Sequence, residues 1–119
     1  MEWEKPSGEV VETFNRIVPD SPIVEKRKMF GYPCRFVNGN MFMGVHQQNI
    51  FIRLPEQDRA EFLKLNEARL FEPMPGRPMK EYVVVPIWLL EEPIELEEWI
   101  EKSLAYVSEM PPKSKKTTK

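Results

Sequence analysis

Apolar residues change their spacing twice along this chain, and those changes divide it into elements. Val10, Phe14, Ile17 and Val18 recur at helical intervals after Ser7, a residue suited to capping a helix, with Glu9 in the first turn where the helix dipole favours an acid. Pro19 stops the run, and Pro19-Asp20-Ser21-Pro22 reads as a turn, since proline fixes φ and disfavours helix just before it. From Val24 to Leu54 the spacing is that of strands. One strand is predicted around Lys26 to Phe30. Phe36-Val37 and Met41-Phe42-Met43 flank Asn38-Gly39-Asn40, and Val45-His46 and Ile50-Phe51-Ile52 flank Gln47-Gln48-Asn49. Both separators are polar hairpin turns, the first with a glycine able to take positive φ.

Pro55, with Glu56 and Asp58, suits the first turn of a second helix that carries Ala60, Phe62 and Leu63 and extends towards Asn66. Pro73-Met74-Pro75-Gly76-Arg77-Pro78 holds too much proline for a regular element and reads as an ordered surface loop. Tyr82 to Val85 is a continuous run rich in β-branched residues, the kind that suits a strand covered on both faces. Ile87 to Leu90 fits a short helical turn. A last helix from Pro93 aligns Leu96, Trp99, Ile100, Leu104 and Val107, with Glu95, Glu97 and Glu98 near its start. The expected fold is α+β, an antiparallel sheet of about five strands in largely meander order with N-terminal, middle and C-terminal helices packed on it. Residues 1–112 are expected to form one domain and residues 113–119 a basic disordered tail, because Lys113-Ser114-Lys115-Lys116-Thr117-Thr118-Lys119 has no apolar surface to bury.

Composition adds bounds. With 119 residues, 41% hydrophobic and 30% charged, the chain suits one small globular core. It has no apolar run near the roughly 18 residues a membrane span requires, and it opens Met1-Glu2-Trp3-Glu4-Lys5, unlike a secretory signal. A cytoplasmic protein without membrane contact is expected. The lone cysteine, Cys34, excludes an internal disulfide.

Charge is segregated. Residues 26–80 hold ten Lys/Arg against five Asp/Glu, whereas residues 81–112 hold one against eight. The basic centre and the four lysines of the tail make Arg27, Lys28, Arg53, Arg77, Lys113, Lys115, Lys116 and Lys119 candidate nucleic-acid contacts, of a weak and salt-dependent kind. Arg59 and Lys80 belong to the same basic stretch.

No residue is assigned to catalysis, cofactor binding or metal binding. One Cys and one His cannot build a zinc centre of the Cys/His type. Cys34 and His46 on adjacent strands are the sole nucleophile–base pairing to consider, and each reads better as a strand packing residue and a turn-side polar group. The glutamates from Glu91 to Glu101 read as the solvated side of the last helix. The scattered glycines make no phosphate-binding loop. Seven methionines, five of them from Met29 to Met79, read as fillers of an irregular core.

Several short segments, in order, carry a family resemblance over roughly residues 10–107. They are Lys28-Met29-Phe30-Gly31, Met41-Phe42-Met43-Gly44-Val45, Ile50-Phe51-Ile52-Arg53, Arg59-Ala60-Glu61-Phe62, Met79 with Tyr82, Pro86 and the helix of Trp99. In this order they resemble the N-terminal domain of the TfoX (Sxy) competence-regulator family. The resemblance implies an α+β domain without catalytic residues. The best-known members promote expression of DNA-uptake genes in bacteria, alongside a cyclic-AMP-dependent transcription activator, and carry a second, C-terminal domain where this chain has its tail. Tyr32 stands where relatives often have a second glycine, implying a less permissive turn after Gly31. The leading expectation is a non-enzymatic regulatory domain acting by contact with a protein partner. A nucleic-acid accessory module comes second and an enzyme using Cys34 or His46 third. An exposed sheet edge would also favour a homodimer unless the edge is protected.

Overall fold

A computed structural model describes residues 4–112 of the chain. Helix α1 (Gly8–Ile17) starts at Ser7, whose hydroxyl oxygen accepts the Val10 N–H at 3.1 Å. It ends where Val18 turns to extended backbone ahead of Pro19. Four strands then follow as a meander, β1 (Glu25–Met29), β2 (Tyr32–Val37), β3 (Asn40–His46) and β4 (Asn49–Arg53). Each connection is a two-residue turn. Phe30-Gly31 (φ 55° and 83°) and Asn38-Gly39 (φ 52° and 81°) place both central residues at positive φ, which matches the twist of the paired strands. Tyr32 lies outside the first turn, as the opening residue of β2 opposite Met29, so the tyrosine does not tighten it.

Helix α2 (Glu56–Phe62) has Pro55 at its N-cap and closes at Leu63, short of Asn66. The next segment departs from the sequence expectation. Residues 73–78 are not an irregular loop. They join β5 (Arg69–Met74) to β6 (Arg77–Val84) through Pro75-Gly76, so the sheet has six strands rather than about five. Its order is β1-β2-β3-β4-β6-β5, antiparallel throughout. Proline is tolerated here because Pro73 lies on an edge strand, and Pro78 lies in the part of β6 beyond its pairing with β4, which involves Tyr82 to Val84. Both edges carry features that oppose edge-to-edge pairing. β1 is largely exposed charge, Glu25-Lys26-Arg27-Lys28, and β5 holds Pro73 and two register irregularities.

One short turn of helix, α3 (Ile87–Leu90), and a long helix, α4 (Pro93–Ser108), complete the chain. Helices α1 and α4 lie over the middle strands and α2 lies against β6. Beneath them Phe14, Phe42, Val45, Ile50, Ile52, Leu54, Phe62, Val83, Leu89, Leu96, Ile100 and Val107 form the main core. A bulge helps to build it. Between the pairs Arg35↔Met43 and Phe36↔Met41, β3 carries one extra residue, Phe42. Phe42 and Met43 both enter the core, and the buried Ser103 of α4 donates its hydroxyl to the Phe42 carbonyl at 3.0 Å.

The other face of the sheet also carries a buried cluster, built among the described residues from the strands. Cys34, Met41, Phe51, Phe71, Tyr82 and Val84 form a second buried cluster. The rings of His46 on β3 and Phe71 on β5 lie 5.4 Å apart although β4 and β6 intervene, roughly 14 Å of strand spacing in a flat sheet. The sheet therefore curls towards this face. Gly44 lets it close, since a Cβ there would meet Phe51 Cζ at 2.7 Å and Cys34 Sγ at 3.0 Å. Among the described residues no helix is long and apolar enough to cross a membrane.

Candidate functional site

The helical layer leaves a gap. Helix α1 fully buries only Phe14, while Val10, Ile17 and Val18 of its apolar stripe stay half-buried. The reason lies across from it. Helix α3 is a single turn between Pro86 and Pro93, and the indole N–H of Trp88 donates to the Asn66 carbonyl at 2.8 Å, which ties α3 to the segment after α2. What remains between α1 and the α3–α4 corner is a groove of about 680 Å3.

Ile17, Val18, Leu90, Leu96 and Ile100 give the groove an apolar lining. It continues along α1 into a second depression of about 430 Å3 that includes Val10, Ile50 and Ile87, the two sharing Arg16, Leu90 and Glu91. Ile87 is 75% exposed. Ile94, 77% exposed, stands three and seven residues before Glu97 and Glu101 on the same side of α4. Asp20, Glu91, Glu97 and Glu101 line the larger depression and Glu9 the smaller, and among the described residues Arg16 is the one base in the lining. Such an arrangement can take up an elongated apolar surface with positive margins.

Cys34, His46 and Tyr82 of the strands sit in packed surroundings. Cys34 pairs with Gly44, and Tyr32, two residues earlier on β2, brings its ring to 5.1 Å from that of His46. The thiol is fully buried and donates to the Tyr32 carbonyl at 3.6 Å. Burial pushes it up to about 11, against the opposing pull of a backbone hydrogen bond at Met29 and the charge of Arg35. Burial also holds His46 below its usual value, with Glu4 opposing. At neutral pH the pair is a protonated thiol and a neutral imidazole, the reverse of an activated nucleophile. Burial likewise raises the Tyr82 hydroxyl to about 12. An unfolded thiol ionises near 9.0 and the folded one near 11, so the native state retains a proton that the unfolded state loses. Stability should accordingly fall as pH rises through that window. Cys34 is expected to react with an aromatic disulfide reagent at mild alkaline pH only in denaturant, and fast labelling of the native chain would contradict its burial. Among the described residues no group of three or more His, Cys, Asp or Glu could hold a metal ion.

The predicted nucleic-acid contacts are dispersed. Arg27 on β1 pairs with Glu25 at 3.0 Å and lies 4.8 Å from the Phe36 ring centroid. Lys28 is exposed on the same strand. Arg53 is committed to a structural network. It pairs with Glu81 at 2.7 Å, donates to the Met41 carbonyl, and lies 5.3 Å and 5.8 Å from the ring centroids of Tyr82 and Tyr106. Arg77 is exposed at the start of β6, towards the opposite margin of the sheet from β1. Arg59 donates to the Leu54 carbonyl at 2.8 Å, and Lys80 is exposed. Lys113, Lys115, Lys116 and Lys119 lie outside the described residues.

Sequence reasoning passed over Arg35, which the structure makes a cornerstone. It is 6% exposed, donates to the Cys34 carbonyl at 3.0 Å and to Asn15 Oδ1 at 2.9 Å, and lies 4.9 Å from the Phe14 ring centroid. The available signal was a charge between the hydrophobic positions Cys34 and Phe36 of a strand, at the parity that faces α1. The groove itself has no sequence signal, because it is the space left between elements distant in the chain.

No curated protein matches the chain. The TfoX N-terminal domain model matches residues 17–107, which run from the last residue of α1 through all six strands, α2 and α3 to Val107 of α4. That match spans well over half of the 119 residues, and the chain belongs to the TfoX N-terminal domain family.

Proposed function

We propose that this chain is a non-enzymatic regulatory domain that acts by holding a protein partner in the groove between α1 and the α3–α4 corner. The observation that carries the reading is the half-open apolar lining of that groove, in a fold that buries a cluster on each face of its sheet. The state of Cys34 and His46 supports a role without covalent chemistry. Family membership supports a regulatory setting, and transcription in a bacterial cytoplasm is the setting we infer.

The test is affinity capture from extract of the source cell, with the full chain as bait, beside an Ile87→Asp/Ile94→Asp variant. Both isoleucines are largely exposed, so the variant should keep its fold. The native chain is expected to retain a defined protein that the variant loses. Capture of nothing by the native chain, or equal capture by both, would count against the reading. A nucleic-acid role would rest on the tail lysines and on the exposed run Lys26-Arg27-Lys28 of β1, with Arg53 and Arg77 placed elsewhere on the sheet.

A further inference from the structure

We infer that the occupant of the groove is a basic amphipathic helix from another protein, seated along α1 with its apolar face down and its Lys or Arg residues against the acidic rim. This inference rests on the reading that the groove holds a protein partner. Three properties of the site select that occupant.

The first is backbone chemistry. The groove is walled by α1, α3 and α4, and its one strand residue, Ile50, lies on β4, which is paired on both sides, so no sheet edge borders it. An extended peptide would press unpaired backbone groups onto an apolar lining, whereas a helix satisfies its own. The second is length. The joined depressions follow α1 from Glu9 to Ile17, roughly 12 Å at the rise of a helix, and continue past Val18 and Pro19, which accommodates at least two turns and anchors at i, i+3 or i+4, and i+7. The third is charge. Among the described lining residues Glu9, Asp20, Glu91, Glu97 and Glu101 are acidic and Arg16 alone is basic. An acidic helix would meet like charge along most of the rim, and a basic one its complement. The chain's own Lys-rich tail has the right charge but no apolar residue to fill the groove.

The probe is a synthetic Leu/Lys peptide of about 14 residues with leucines at helical spacing, beside a Leu/Glu peptide of the same pattern. Each is titrated into the isotope-labelled full chain while backbone amide shifts are followed. The Leu/Lys peptide is expected to move Ile17, Val18, Leu90 and Ile100 and the Leu/Glu peptide to leave them in place. The exposed double variant Glu97→Lys/Glu101→Lys is expected to weaken Leu/Lys binding about tenfold, two rim attractions becoming repulsions.

Absence of binding, shifts centred elsewhere, equal binding of the two peptides or indifference to the double variant would each overturn the inference. So would groove shifts that depend on protein concentration without peptide, which mark a second copy as occupant. Groove shifts on changing Lys113, Lys115, Lys116 and Lys119 to serine would do the same, marking the tail. If the native chain captures a protein that Ile87→Asp/Ile94→Asp loses while the Leu/Lys peptide fails to bind, the interaction reading stands and the basic helix alone falls.

Discussion

Replacing Phe51 by alanine is expected to lower the unfolding free energy by about 3–5 kcal/mol, the usual range for removing a buried phenylalanine. The ring has no exposure, stacks on Phe71 at 4.2 Å and 12°, and meets Tyr82 edge-on at 5.7 Å. On its strand neighbour β3, Gly44 makes room for it. Removal would therefore leave a cavity walled by rigid strands, which collapse poorly around a void. Set against a total stability of roughly 5–15 kcal/mol for a domain, the loss is a large share. Urea unfolding followed by far-ultraviolet circular dichroism measures it. A loss below about 1 kcal/mol would mean that the curled face is a yielding surface and not a core. That outcome would also bear on function, because it would reopen the strand face as a place for a partner and weaken the claim of the helical groove.

Much of the fold was legible because its signals are local. Ser7 caps α1 in the structure, Asn38-Gly39 makes the hairpin turn its composition demands, and the stripe of α4 faces the sheet through Leu96, Ile100 and Val107. The unbroken run before Pro86 divides between the two faces as expected, Val83 and Val85 entering the helical core and Tyr82 and Val84 the strand cluster. β5 was hidden because proline density argues against a strand only where backbone N–H groups must pair on both sides. Pro73 and Pro78 occupy places where that demand lapses. The curl of the sheet was hidden for another reason. Period-two patterning assigns residues to faces and says nothing of how sharply a face bends, which here depends on Gly44 and the bulge at Phe42. Basic residues illustrate the limit on site reading. Arg53 and Arg77 are alike in sequence, yet one is bound into an ion pair between two tyrosines and the other is exposed at a turn.

Arg35 links that structural argument to the groove. Its guanidinium joins the strand layer to the last turn of α1, and burial lowers its proton affinity from the ordinary value. Among the described residues no carboxylate lies in ion-pair range of it, so its charge is offset by two oxygen acceptors and the face of Phe14. Arg35→Ala should cost about 2–4 kcal/mol, combining the lost ring contact with acceptors left unpaired. Arg35→Lys should recover little of it, because one ammonium on a flexible stem cannot reproduce the planar fork that reaches the Cys34 carbonyl and Asn15 together. Helix α1 fully buries only Phe14, and Arg35 holds that ring and its neighbour. Loss of Arg35 should therefore loosen α1 before the rest of the fold. Amide hydrogen exchange tests this: protection in Val11 to Ile17 is expected to drop well ahead of that in β3 and β4. Uniform loss across the chain, or an unchanged melting temperature, would show that α1 is held by something other than Arg35. If α1 does loosen first, one wall of the groove is set by a single buried cation, and affinity for a partner should fall with Arg35→Ala even though Arg35 lies outside the groove lining.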